Sequence, residues 1–297
     1  MLKSKHLDWL RLALVPAIGP ARGKKLLEEF GTPGEIFRAS LKDIAAILGN
    51  SVARIIDGQR RAVDLDEQLC LIEKYKVKII ALGDPQYPAN LKNIFDPPLV
   101  LFLRGEILLE DSLAISIVGT RMATIYGINM ARKISSQLGQ HGFTIVSGGA
   151  RGIDTAAHQA ALGIKSRTIA VLGCGVDTVY PPENTRLFGQ IILRGALVSE
   201  FPMGTKPLRE NFPQRNRIVS GLSLGVVVVE APQKSGALIT ASFALEQGRE
   251  VFCVPGKADS FAMKGSHQLL KEGARLIEGV DDIIEEIGPL LTGAALT

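Results

Sequence analysis

The stretch SGGARGID, residues 147–154, ends an apolar strand on two adjacent glycines and opens a helix, and its reading decides the fold. Gly148 and Gly149 permit positive φ and remove Cβ atoms, so the backbone can turn sharply and bring its N–H groups together on an anion. The helix that follows adds unpaired N–H groups and the positive end of its dipole. A second small-residue turn, GTR at Gly119, Thr120 and Arg121, closes the preceding strand. Two such turns side by side belong at the carboxyl edge of one parallel sheet. Taken alone, Gly148, Gly149 and Gly152 would serve a tight strand-to-helix connection equally well.

Outward from this point the chain alternates strand and helix. AISIVGT, FTIVSGG, RTIAVLG, ALVSEF, LGVVVVEA, EVFCVPG and ARLIEG are short apolar or β-branched runs separated by about 10 to 20 residues of helical pattern. Continuous apolar strands between helices indicate an α/β fold with a parallel sheet buried on both faces. Right-handed crossovers bring every carboxyl end to one edge, where ligands bind at the switch point. The stretches that reach this edge are GTR, SGGARGID, GCGVDTVYPPEN, SEFPMG, VEAPQKSGALIT and VPGKADS. Gly119 is followed by Thr120, Arg121 and Met122, so the G-x-G-x-x-G dinucleotide fingerprint is missing after the first of these strands and an NAD site is not expected.

Length and composition fit two domains with a sizeable core: 297 residues, 46% hydrophobic and 22% charged. A net charge of +4 permits an anionic partner, whose surface must be local. Cys70, Cys174 and Cys253 are far apart without C-x-x-C spacing, which argues against a disulfide framework or a cysteine-rich zinc site. The amino-terminal apolar run is interrupted by Asp8 and Arg11, so it reads as an amphipathic helix and not as a signal peptide. No run of about 18 apolar residues suggests a membrane span. A reducing, cytoplasmic setting is expected.

Residues 1–75 read as a small all-helical domain. VPAIGPARGKKLLEEFG resembles a helix-hairpin-helix, whose amides can face a nucleic-acid phosphate with Arg22, Lys24 and Lys25 adding charge. Ala17 stands where that hairpin has its first glycine, and packing against a neighbour or partner is the preferred reading. Gly19, Gly23, Lys24 and Lys25 mimic a P-loop with too short a spacer and no following Ser or Thr, which excludes ATP hydrolysis there. From Arg60 to Tyr75 one polar connecting helix is expected. Residues 76–112 then form a proline-rich extended segment packing on the sheet, with a strand at VKIIALG, and the main domain covers 113–288.

GTR, SGGARGIDTAAHQAAL, GCGVDTVYPPEN, SEFP, NFPQRNRIVSGLS, VVVVEAPQKSGALITASFALEQGREVFCVPG and GSHQLLKEGA, in this order, resemble the DNA-processing protein A (Smf) family. The resemblance implies an extended Rossmann-like domain after a SAM/helix-hairpin-helix-like module. It implies binding of single-stranded DNA in natural transformation, protection of incoming DNA and loading of a RecA-type recombinase with displacement of single-strand-binding protein. A homodimer is implied, without catalysis, metal or cofactor. Family members often add a carboxyl-terminal winged helix; residues 289–297 read as a tail without one.

Several side chains at the edge are candidates for DNA contact. Arg121, beside Gly119 and Thr120, can grip phosphate with two prongs, or pair with a surface carboxylate. The nest comprises Ser147, Gly148, Gly149, Ala150, Arg151 and Gly152; Arg151 either enters the groove or braces the turn from outside. In NFPQRNR, Phe212 can stack on a base while Arg215, Asn216 and Arg217 meet the backbone, or these residues pack and brace neighbouring loops. Lys234, Ser235 and Gly236 open another helix and offer charge, hydroxyl and amide. Lys165 and Arg167 belong to the opposite end of their strand and read as solvated charge. Asp154 and His158 share a helix face and are assigned to packing and loop bracing. Tyr180, Asn184, Glu200 and Glu230 also reach the edge. An acid or base at Glu200 or Glu230 would support the alternative, a lysine-decarboxylase-like nucleotide phosphoribohydrolase. A protein-only recruitment scaffold is the third possibility.

Overall fold

In the computed structural model, which describes residues 4–294, the chain begins with six helices. They are α1 (Ser4–Ala13), α2 (Pro20–Phe30), α3 (Pro33–Arg38), α4 (Leu41–Leu48), α5 (Asn50–Ala62) and α6 (Asp66–Lys74). Local chemistry sets their starts. Pro20 and Pro33 occupy first-turn positions that need no N–H donor, the Thr32 hydroxyl accepts from Glu35 N–H, and Ser40 and Asp43 form a reciprocal capping box. The single helix expected from Arg60 to Tyr75 is broken. The Asp64 carboxylate accepts the Asp66 amide at 2.9 Å, a side-chain turn that competes with helix continuation.

Leu12, Val15, Ile18, Leu26, Ile36, Ile44 and Ile56 form the core of this module, and Leu99 of the following segment closes it. Gly23 lets Leu99 pack closely at that joint, since a Cβ there would lie 2.5 Å from Leu99 Cδ1 and the leucine side chain would have to shift.

The sheet has nine strands among the described residues: β1 (Lys78–Ala81), β2 (Val100–Gly105), β3 (Ala114–Gly119), β4 (Thr144–Ser147), β5 (Thr168–Val171), β6 (Ala196–Ser199), β7 (Gly225–Glu230), β8 (Glu250–Cys253) and β9 (Arg275–Leu276). Their order is β1-β2-β6-β5-β4-β3-β7-β8-β9. β1 pairs with β2 and β2 with β6 antiparallel, and every other pairing is parallel. The connecting helices are α7 (Ala89–Lys92), α8 (Ile125–Gln140), α9 (Ile153–Gly163), α10 (Thr185–Arg194), α11 (Asn211–Gly221), α12 (Gly236–Glu246), α13 (Lys264–Lys271) and α14 (Val280–Ala294). Residues 289–294 of the expected tail belong to α14; residues 295–297, like 1–3, lie outside the described residues.

Alternation along each strand feeds two cores. Val118, Val146, Ile169 and Val228 pack with Leu91, Ile218, Val219 and Ala241 on one face. Ile115, Ile117, Ile145 and Val227 pack with Ala131, Ile134, Leu138, Ala156 and Ile283 on the other. This is the Rossmann-like α/β fold with helices on both faces that the sequence predicts. Winding reverses between β3 and β7, which places the switch-point crevice between the GTR turn and the loop after Glu230.

Candidate nucleic-acid interface

The two glycine turns touch one another. Thr120 N–H donates to the Glu230 carbonyl at 2.7 Å, and Ile153 N–H donates to the Thr120 carbonyl at 3.3 Å. Gly152 has φ +73°, and a Cβ there would lie 2.4 Å from the Thr120 oxygen. Positive φ and contact distance therefore both demand glycine. Gly119 plays a packing part, since its missing Cβ makes room for Ile153. Asp154, in the first turn of α9, reaches back to accept Ala150 N–H at 3.2 Å, and Asn184 Nδ2 donates to the Gly149 carbonyl at 3.0 Å. The amides of Gly149, Arg151 and Gly152 make no hydrogen bond within the described residues. Those of Arg151 and Gly152 offer donors at the positive end of α9.

Four residues expected to contact DNA lie inside, a correction to the sequence reading, the first being Gly149, which is buried against Phe188 and Leu172. Ser147 is fully buried and donates its hydroxyl to the Ile117 carbonyl at 2.6 Å. Arg215 is 4% exposed; its guanidinium donates to the carbonyls of Gly148, at 2.6 Å, and Val171. Gly148 lies between this guanidinium and the Asp154 carboxylate, each of which would be 2.7 Å from an added Cβ. Burial lowers the Arg215 pKa to about 10, while the Asp154 charge opposes the shift. Burial likewise raises the Asp154 carboxyl, against the attraction of Arg215. Arg217 is 3% exposed and holds Asp96 at 2.8 Å and Glu200 at 2.6 Å. Helix α11 is covered on more than one side, so Arg215 and Arg217 brace the loops from beneath. Asn216 braces as well, donating to the Gly236 carbonyl at 3.2 Å.

Other candidates reach the surface. Arg121 is exposed, and its guanidinium carbon stands 5.2 Å from the centre of the Phe212 ring. Phe212 packs on Gly173 and lies 5.6 Å from the Tyr180 ring. The cation–π contact helps hold the guanidinium over the ring. Together with Gly148, Ala150, Arg151 and Pro181, these three residues line a cavity of about 20 Å³, room for a small group such as a phosphate oxygen and not for a whole nucleotide. Arg151 pairs with Glu183, so its charge is partly compensated. Lys234 is exposed, Ser235 caps α12 by accepting from Ala237 N–H at 3.2 Å, and Gly236 is open to solvent. Phe212 and Asn216 are one helical turn apart, so α11 joins the Arg121 end of the edge to the Lys234 end. Sequence patterning placed Tyr180 and Asn184 at this edge without a role. Their parts, a ring wall and a loop brace, depend on contacts far apart in the chain.

The carboxylates at the edge are engaged. Glu230, 1% exposed, accepts Thr124 N–H at 2.9 Å and the Thr124 hydroxyl at 3.3 Å, so it occupies the amino end of α8. In dinucleotide-binding folds a pyrophosphate takes that place. Glu200 is bound to Arg217, and burial raises its pKa. His158 is buried and hydrogen-bonds the Thr168 hydroxyl at 2.7 Å; burial lowers its pKa to about 3. Arg167 sits at the opposite end of β5, as expected, but is not merely solvated: it pairs with the buried Asp111 carboxylate at 2.7 Å. Among the described residues no group of three or more His, Cys, Asp or Glu is arranged to hold a metal ion. No helix among them is long and apolar enough to cross a membrane.

Comparison with known proteins places this geometry in context. Residues 78–288 match the family model described as DNA recombination-mediator protein A. The chain is 40% identical over 299 residues to Protein Smf of Synechocystis sp., covering 98% of this chain and 75% of that protein. It is similar to the X-ray structure of DNA processing protein A from Streptococcus pneumoniae, at 34% identity and a TM-score of 0.81 over 96% of this chain and 98% of that one. DNA processing protein A from Helicobacter pylori, whose structure is described for its single-stranded DNA binding mode, aligns at 29% identity and a TM-score of 0.65 over 72% of this chain and 96% of that one.

Proposed function

The chain belongs to the DNA recombination-mediator protein A family, and on that premise we propose that it binds single-stranded DNA along the carboxyl edge of its sheet. In this reading it works in the cytoplasm as a homodimer, protects DNA taken up in natural transformation and loads a RecA-type recombinase in place of single-strand-binding protein. The observation that carries the DNA contact is the exposed Arg121 guanidinium, stacked on Phe212 beside a loop with unpaired amides. Phosphates would lie on Arg121, the nest and Lys234, and base identity would matter little. In this reading the role is non-catalytic: Glu200 and Glu230, either of which could have served as acid or base in the phosphoribohydrolase alternative, are already bound to Arg217 and Thr124.

Arg121→Ala is expected to weaken oligothymidylate binding about tenfold or more. It should also flatten the logarithmic salt dependence by about 0.7. Because Arg121 is exposed, the melting temperature should stay unchanged. Anisotropy titrations at several salt concentrations read both quantities, and unaltered affinity with an unaltered slope would refute the groove. Release of free base from nucleoside monophosphates would point instead to the enzyme.

A further inference from the structure

Phe95 is 83% exposed on the turn between α7 and β2, yet that turn is anchored on both sides of it. Ile94 before it is buried, Asp96 after it is held by Arg217 at 2.8 Å, and Pro97 and Pro98 are buried, with Tyr87 Oη donating to the Pro98 carbonyl at 2.8 Å. The phenyl ring is therefore presented to water by a fixed backbone. Lys24 Nζ, from the basic start of α2, reaches the Phe95 carbonyl at 3.5 Å. Lys25 follows on α2, and Lys92 closes α7 three residues before the ring. None of the three lysines forms an ion pair among the described residues. Of the nearby carboxylates, Asp96 is paired with Arg217, which it shares with Glu200, and Glu28 and Glu29 lie one turn further along α2.

We propose that Phe95, with Lys24, Lys25 and Lys92, is a second contact for single-stranded DNA, stacking one base while the lysines meet the flanking phosphates. It rests on the groove reading above and extends its track onto the helical module. Continuity comes through α11: Phe212 stands at its start, and Arg217, which fixes the Phe95 turn, is about 7.5 Å further along the helix axis. A lone exposed ring among unpaired cations is the pattern of a stacking platform, whereas a protein partner calls for a contiguous apolar surface depleted in lysine. This assigns the basic helix of the amino-terminal hairpin a ligand by its side chains and not by its hairpin amides.

Anisotropy titration with oligothymidylates of roughly six and roughly twenty nucleotides separates the two contacts. Phe95→Ala should weaken the longer strand about fivefold or more and leave the shorter one unaffected. Phe95→Trp should show fluorescence quenched by the longer strand only, above the Trp9 baseline of the parent. If Arg121→Ala weakens both strands while Phe95→Ala changes neither, the second contact is refuted and the groove stands. Equal losses on both lengths would place Phe95 within the groove and also overturn the proposal. Unchanged DNA affinity with weaker binding of a recombinase filament would reassign the ring to a protein contact. Failure of the parent to bind either strand would remove groove and extension together.

Discussion

The buried imidazole of His158 stays neutral because α9 and β5 shut it away from water while Thr168 offers it one hydrogen bond. Its pKa falls to about 3 in the folded chain, against 6.5 for the free side chain. The unfolded chain therefore binds a proton that the native state refuses, and stability is lost as pH drops from 6.5 towards 3. Between pH 7.5 and 5.5 the loss should be about 1.4 kcal/mol, read from urea midpoints. Asp154 and Glu200 act in the opposite sense, because burial raises their pKa and favours the native state as they protonate, so the His158 share is read as the difference between the parent and a His158 variant. His158→Gln should flatten the profile above pH 5.5, and an undiminished drop in that variant would assign the effect elsewhere. The assignment of Asp154 and His158 to bracing was legible because no nucleophile or metal-ligand partner stands near them in the pattern. The burial of Arg215 and Arg217 was not, since NFPQRNR has no apolar stripe to show which residues face inward. Only the packing of α11 between the strand ends and residues 93–99 decides it.

At the scale of elements, the two abutting turns make a sharp distinction among glycines that the sequence presents alike. Gly152→Ala should destabilise the fold by about 1–3 kcal/mol, because it forces a side chain to φ +73° against the Thr120 carbonyl. Gly236→Ala meets nothing within 4 Å at the start of α12 and should be neutral or slightly stabilising. Thermal melts of the two variants give the comparison, and equal shifts would contradict the contact between the turns. The seven parallel strands were legible because buried β-branched runs alternate with helices. The partnership of β1 and β2 was harder to read, since both lie in the proline-rich segment and the antiparallel pairing of β2 to β6 is fixed by long-range contacts. The break between α5 and α6 turns on one Asp64 hydrogen bond that competes with an otherwise helical pattern.

For the whole molecule, Trp9 lies at the junction between the helical module and the sheet. It packs against the module core and against the cluster containing Val100 and Phe102 of β2, and its ring would stand 3.0 Å from a Cβ at Gly83. Because the chain has one tryptophan, its fluorescence reports this junction alone. Urea unfolding followed by Trp9 emission and by far-ultraviolet circular dichroism should give coincident transitions, and an early fluorescence step would show that the module melts by itself. The Glu230 carboxylate at the amino end of α8 has a consequence of the same breadth. The fold carries its own occupant in the crevice at the switch point. A tethered anion competes at an effective concentration in the millimolar range or above, so a diffusing mononucleotide meets a place already taken. Under the proposed function, selectivity against small nucleotides would come from self-occupancy, and the rim left open would reward a ligand long enough to touch several weak sites at once.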